Sequence, residues 1–188
     1  YFSFGNYHNP EKVHFGLLRV LNDDFIAGGG AFPTHPHDNM EIVTIPFTGA
    51  LKHKDSTGGE GVIKAGDVQI MSAGSGVKHS EANESATDPV TLFQVWVFPK
   101  IRNISPRYDQ RTFDVAERIN NWQYVVSPNE ADGGLWINQD ARFAMTKLEA
   151  GNTLEYTNSF KGNGVYLVVI NGSATEDAEL LAIEVPMN

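Results

Sequence analysis

Short apolar runs recur along the whole chain, and each is closed by a turn. FGLLRVL at 15–21, EIVTIPF at 41–47, VIKAGDVQIM at 62–71 and VTLFQVWVF at 90–98 lie in the first half. WQYVV at 122–126, GLWI at 134–137, ARFAMTKLEAG at 141–151, GVYLVVING at 164–172 and ELLAIEV at 179–185 lie in the second. The runs are rich in Val, Ile, Leu, Phe, Tyr and Trp, and Gly, Pro, Asn, Asp and Ser cluster between them. Many short strands with such punctuation predict an all-β sandwich or barrel. Only TFDVAERI, 112–119, reads as a short helix. With 188 residues the chain is long enough to bury a real core.

The two halves look faintly duplicated. The first runs strand, turn, KAGD, strand; the second has KLEAG at 147–151 and then GVYLVVINGSA at 164–174. Residues 99–121 hold Pro, Arg, Asn and Asp with little alternation and read as a linker. A β-barrel half should continue through more strands after VVINGSA. TEDAELLAIEV follows almost at once, as if residues had been lost near Thr175–Glu176.

Charge and cysteine usage exclude several functions. Fourteen basic and 23 acidic residues give a net charge of −9. Such a chain, without a Lys/Arg cluster, is a poor partner for phosphate backbones or anionic membranes. No apolar run approaches the ~18 residues of a membrane span. No secretory leader pattern follows Tyr1, where the sequence begins without Met as if cropped, and a cytoplasmic protein is expected. With no cysteine, disulfides, thiolate zinc sites and cysteine nucleophiles are all ruled out. Any metal must be held by His, Asp or Glu.

FPTHPHDNMEIV at 32–43 sets His35 and His37 one residue apart. Alternate side chains of a strand share a face, so an extended backbone aims both imidazoles into one space. Pro33 and Pro36 stiffen the segment. Taken alone, the pattern is a weak signal and fits a turn with two solvated imidazoles better than a metal site. GDVQIMSAGSGVKHSEAN at 66–83 repeats the spacing with His79 and Glu81. Three imidazole nitrogens and one carboxylate suit a divalent first-row metal with positions left open for chemistry. Glu41, in HPHDNME, is the rival carboxylate, and needs a polar partner if buried. His8, His14 and His53 lack a partner at ligand spacing and read as surface or hydrogen-bonded structural residues. No helical pattern follows GSG at 74–76, so it is not a dinucleotide loop. SGVKHS has no acid to complete a triad. Phe32, Met40, Met71, Phe93 and Trp96 could line an apolar pocket or fill a plain core.

GGGAFPTHPHDNMEIVTIPFTG at 28–49 resembles the first cupin motif, and residues 66–83 resemble the second. FPTHPH, MEIVT, HKDS, SAGSGVKHSE and LFQVWV, with FSFGNY at 2–7 and WINQDARF at 136–143, together resemble the pirin family across nearly the whole chain. That resemblance implies a bicupin: two β-barrel (jelly-roll) cupin domains, at 1–121 with the linker and at 122–188. It implies one divalent transition metal on His35, His37, His79 and Glu81, with Fe expected before Ni, Mn, Co, Cu or Zn. No histidine follows His79, so no second site of this kind is expected.

Several pirin-like proteins open the central ring of the flavonol quercetin with O2, releasing carbon monoxide and leaving a depside ester. The resemblance thus implies a small aromatic substrate, with Phe32, Met40 and Met71 beside it. The metal would hold the substrate's 3-hydroxyl oxygen as an anion, and Glu81 would act as both ligand and general base. Other members of the family act through protein partners, so a metal-dependent regulatory module is the alternative. A metal-binding cupin with another natural substrate is a third reading. A roomy apolar channel reaching the metal would favour the enzyme.

Overall fold

Nearly every apolar run is a strand in the computed structural model, which describes residues 1–173 and 175–187. The first half contains β1 Leu18–Ile26, β2 Ala31–His37, β3 Glu41–Thr48, β4 Ala50–Asp55, β5 Glu60–Lys64, β6 Asp67–Ser72, β7 Val77–Asn83, β8 Val90–Val97 and β9 Arg107–Thr112. The second contains β10 Gln123–Ser127, β11 Leu135–Trp136, β12 Arg142–Leu148, β13 Asn163–Asn171 and β14 Ala178–Pro186. They form a central sheet β1-β8-β3-β6-β9, an outer sheet β2-β7-β4-β5 and a C-terminal sheet β11-β10-β12-β14-β13. Within each half all strand pairs are antiparallel except the short β10–β11 pair. The architecture is all-β, as the punctuated runs require.

The central sheet is covered on both faces, which is why β8 reads as an almost unbroken apolar run. Phe93, Val95 and Val97 point one way and join Val126, Leu135, Phe143, Leu181 and Ile183 of the C-terminal half in the main core. Leu92 points the other way and packs with Ile26, Leu51 and Ile63 under the outer sheet. Gln94 and Trp96 share that second face and border a cavity between the central and outer sheets. Thus Phe93 belongs to the joint between halves and not to the pocket.

Two expectations need correction. The helix expected over 112–119 is only a 3-10 turn at Val115–Arg118. The Asp114 side chain accepts from the Ala116 amide to start it, and Ile119 is already extended. The linker expected over 99–121 contains β9, which pairs with β6 from Asp67↔Thr112 to Ser72↔Arg107. Its sequence, RYDQRT, hides the strand because β9 is a half-exposed edge whose polar side chains reach across to the other half. Arg107 lies over the Trp136 ring and donates to the Trp136 carbonyl at 2.7 Å.

At the expected deficit, β13 and β14 form a direct hairpin paired as far as Asn171↔Glu179. Ala174, beside that junction, lies outside the described residues. β13 is an edge strand, and Leu167 and Val169 on it are 55% and 56% exposed.

Candidate metal centre

β7 is the middle of three strands that assemble the site. On one side it pairs with β2, placing His35 opposite His79 and Phe32 opposite Glu81. On the other it pairs with β4, placing Asp55 opposite His79 and His53 opposite Glu81. The β2 register shifts between Phe32 and His35, where Pro33 has no N–H to give the ladder. Beyond that bulge, period-two alternation sets His37 on the same face as His35.

The three imidazoles converge. Their ring centroids are 4.8 Å apart for His35–His37, 4.5 Å for His35–His79 and 4.9 Å for His37–His79. One nitrogen from each lies within 4.8 Å of the other two. His35 Nε2 and His79 Nε2 approach to 3.0 Å, while His35 Nδ1 lies 2.8 Å from the Pro33 carbonyl oxygen. That oxygen only accepts, so Nδ1 of His35 carries a proton and the neutral ring has its lone pair on Nε2. His37 Nε2 is buried without a hydrogen-bond partner. Burial, then the neighbouring His35, lowers the His37 pKa to about 4. Burial, then the surrounding histidines, lowers that of His79 to about 3. Both rings are therefore neutral at pH 7, as metal ligation requires. An unpartnered buried nitrogen among neutral imidazoles fits a divalent transition metal.

Glu81 stands beside this group and not inside it. Its ligand oxygen clusters within 4.8 Å of His53 and His79, and it lines the same cavity as His35, His37 and His79. Both carboxylate oxygens accept from the Gln94 amide, at 2.8 and 2.9 Å. Burial pushes its pKa up to about 7, against the pull of Gln94 and with a small push from Asp24. Glu41 falls in neither cluster. It is fully buried, and its Oε2 accepts from Ser72 Oγ at 2.7 Å and from the Asn138 amide at 3.1 Å. Burial raises its pKa too. Its bonds tie β3 to the second half and direct it away from the histidines.

The cavity measures about 290 Å3, and Phe4, Phe32, Ile42 and Trp96 form its apolar walls. Phe4 meets Trp96 edge to face at 5.1 Å. Met40 and Met71 do not line it. They pack with Ile42, Ala73 and Val77 in a small cluster beside it. Ile42, the register partner of Met71, is the member of that cluster that reaches the cavity. His8 and His14 are exposed, as expected. His53 is fully buried and hydrogen-bonded to Asp55, so of the two readings only the hydrogen-bonded one applies; its place beside His79 and Glu81 was not foreseen. HKD at 53–55 carries the same alternate spacing as HPH and HSE, and that was the available signal. Asp55 is held below the ordinary carboxylate range: burial acts to raise it, but hydrogen bonds from Thr57, His53 and Gly59 outweigh this.

Facing β sheets with an imidazole-lined chamber in the first half, joined to a second β unit, define a bicupin. A family profile described as Pirin matches residues 1–97, and one described as Quercetinase C-terminal cupin domain matches 124–185. The chain belongs to the pirin family. It is 42% identical over 191 residues to a quercetin 2,3-dioxygenase of Escherichia coli strain K12, covering 97% of this chain and 80% of that protein. It is 37% identical over 212 residues to a pirin-like protein of Caulobacter vibrioides, covering 98% and 90%. That alignment is longer than the present chain, so the Caulobacter protein carries residues this one lacks. The crystal structure of the bacterial pirin YhhW from Escherichia coli in complex with nickel(II) superimposes with a TM-score of 0.89 at 34% identity, covering 98% of this chain and 89% of that one.

Proposed function

We propose that the chain is a metal-dependent dioxygenase that cleaves a flavonol such as quercetin, with His35, His37, His79 and Glu81 holding one divalent transition metal. The observation that carries this reading is the convergence of three imidazoles, one with an unpartnered buried nitrogen, at an aromatic-walled cavity. The dioxygenase name of the Escherichia coli relative and the nickel(II) of its pirin support it. Iron remains the first expectation for the resident metal, with nickel beside it and Mn, Co, Cu and Zn behind. Residues 1–121 form the metal-binding unit in this reading, and 122–188 the unit that braces it.

When bound, the metal supplies the Lewis acidity that lowers the pKa of a hydroxyl placed against it. Glu81 takes that proton, as the carboxylate that lines the same cavity and is held by a single side-chain amide. Gln94 holds the carboxylate until it is needed, and turning away from that single amide breaks few bonds. Phe4, Phe32, Ile42 and Trp96 exclude water and grip a flat ring on its faces and edges. Dioxygen then enters the central ring, and carbon monoxide leaves in equal amount.

The test is oxygen uptake with quercetin by protein stripped and reloaded with each metal in turn. Uptake that needs one metal, is matched by carbon monoxide release and vanishes in His35→Ala is the expected result. Absence of uptake in metal-loaded protein would transfer the same centre to a regulatory role or to another substrate.

A further inference from the structure

Behind His79 lies a second imidazole that the proposed chemistry does not use. His53 Nδ1 is 3.5 Å from His79 Nδ1, and His53 Nε2 is 3.1 Å from Asp55 Oδ2. Both His53 and Asp55 are buried. The other oxygen of Asp55 accepts from the Thr57 amide at 2.8 Å, the Thr57 hydroxyl at 2.6 Å and the Gly59 amide at 3.0 Å. A Cβ at Gly59 would collide with the Asp55 carboxylate, so the pocket around that group leaves room for no side chain there. Tyr108 stacks on the His53 ring at 4.6 Å and fixes its plane.

The proton positions follow one after another. A carboxylate only accepts, so His53 carries its proton on Nε2. A neutral ring has one N–H, so His53 Nδ1 is an acceptor. His79 then has two possible tautomers: one donates from Nδ1 to His53 at 3.5 Å and leaves Nε2 bare, the other donates from Nε2 to His35 Nε2 at 3.0 Å. In the first of these the His79 lone pair faces the bare lone pair of His35 Nε2 at 3.0 Å. Two such lone pairs repel unless a cation lies between them.

We propose that Asp55 and His53 are positioning residues: a buried relay, Asp55 to His53 to His79, that fixes His79 in the tautomer whose Nε2 lone pair opens onto the histidine cluster. The metal part of this inference rests on the ligand reading above; the tautomer part does not. A carboxylate behind a ligating imidazole raises its basicity and locks its orientation, and loss of such a partner costs about 10- to 100-fold in metal affinity. The relay also puts a proton on His79 Nδ1, so the neighbouring His53–His79–Glu81 cluster has no free His79 nitrogen and is not a second ion site.

Asp55→Asn is the decisive variant. The three donors from Thr57 and Gly59 hold the new amide's oxygen in place, so its NH2 faces His53 Nε2. His53 must then carry its proton on Nδ1, and His79 on Nε2, the nitrogen aimed at the cluster. The experiment is ring-15N NMR of metal-free protein, with nickel(II) affinity measured by chelator competition. In the wild type His79 should be protonated on Nδ1 and His53 on Nε2. In Asp55→Asn both should invert, nickel(II) affinity should fall about 10- to 100-fold, and the melting curve should stay cooperative. A wild-type His79 protonated on Nε2 overturns the relay without recourse to any variant. So does an Asp55→Asn protein with unchanged tautomers and affinity. His79→Ala separates the two readings: unchanged nickel binding there removes His79 as a ligand, while the NMR result still decides the relay.

Discussion

Two buried glutamates, one in each half, show how this fold separates a structural charge from a chemical one. Glu184 on β14 is fully buried, and both its oxygens are occupied by donors from four residues: the Tyr156 hydroxyl, the Ser159 and Phe160 amides and the Asn163 side chain. Glu81 on β7 is equally hidden yet has one donor, the Gln94 amide, and its pKa is pushed up to about 7. A buried charge is stable only when its partners are built in. The second half supplies them for Glu184. The first leaves Glu81 short beside three converging imidazoles, where a cation would complete it.

That contrast can be broken by substitution. Glu81→Gln should lower nickel(II) affinity by at least about 100-fold, because a ligand is removed and not merely a support. The metal-free Glu81→Gln protein should melt no lower than wild type at pH 8. Glu184→Gln should do the reverse. Metal affinity should hold, while stability falls by about 1.5 to 3 kcal/mol, the scale of a hydrogen bond to a charge. In a chain of this size that is a melting shift of roughly 3 to 12 °C. If the two variants exchange these effects, the division of roles is wrong.

The pH dependence of the metal-free protein sharpens the same point. His37 and His79, at about 4 and about 3, lie below the ordinary 6.5. Between those values the unfolded chain binds protons that the folded chain refuses, so stability falls as pH drops below 6.5. Glu81, raised from 4.5 to about 7, acts with the opposite sign. Its protonated form favours the folded state below pH 4.5, and that contribution is lost as pH rises through 7. Melting curves from pH 5 to 8 should therefore show wild type losing ground steadily to Glu81→Gln; a gap independent of pH would contradict the raised pKa. The smallest effect is Tyr156→Phe. It removes one of several donors to Glu184 and should cost about 1 kcal/mol with no change in metal affinity.

The outline of this site was legible because its signal is local. His35 with His37, and His79 with Glu81, are paired by the period of a strand, and no partner had to be known to see it. What sequence spacing could not show is what lies beside a strand. β4 and β7 are adjacent only through long-range pairing, so the spacing in HKD puts His53 and Asp55 on one face without revealing that His53 backs onto His79. β9 was hidden for a related reason: an edge strand that reaches across with arginine has no apolar alternation. The two methionines show the converse limit. Their apolar character marked them as buried, but not that Ile42 would be the member of their cluster that reaches the cavity.

Equilibrium dialysis against nickel(II), comparing wild type with His79→Ala, tests the central claim most directly. Wild type should retain a single ion per chain, while His79→Ala, still melting cooperatively, should lose most of it. Equal retention by the two proteins would contradict the assignment of the centre to the histidines on β2 and β7.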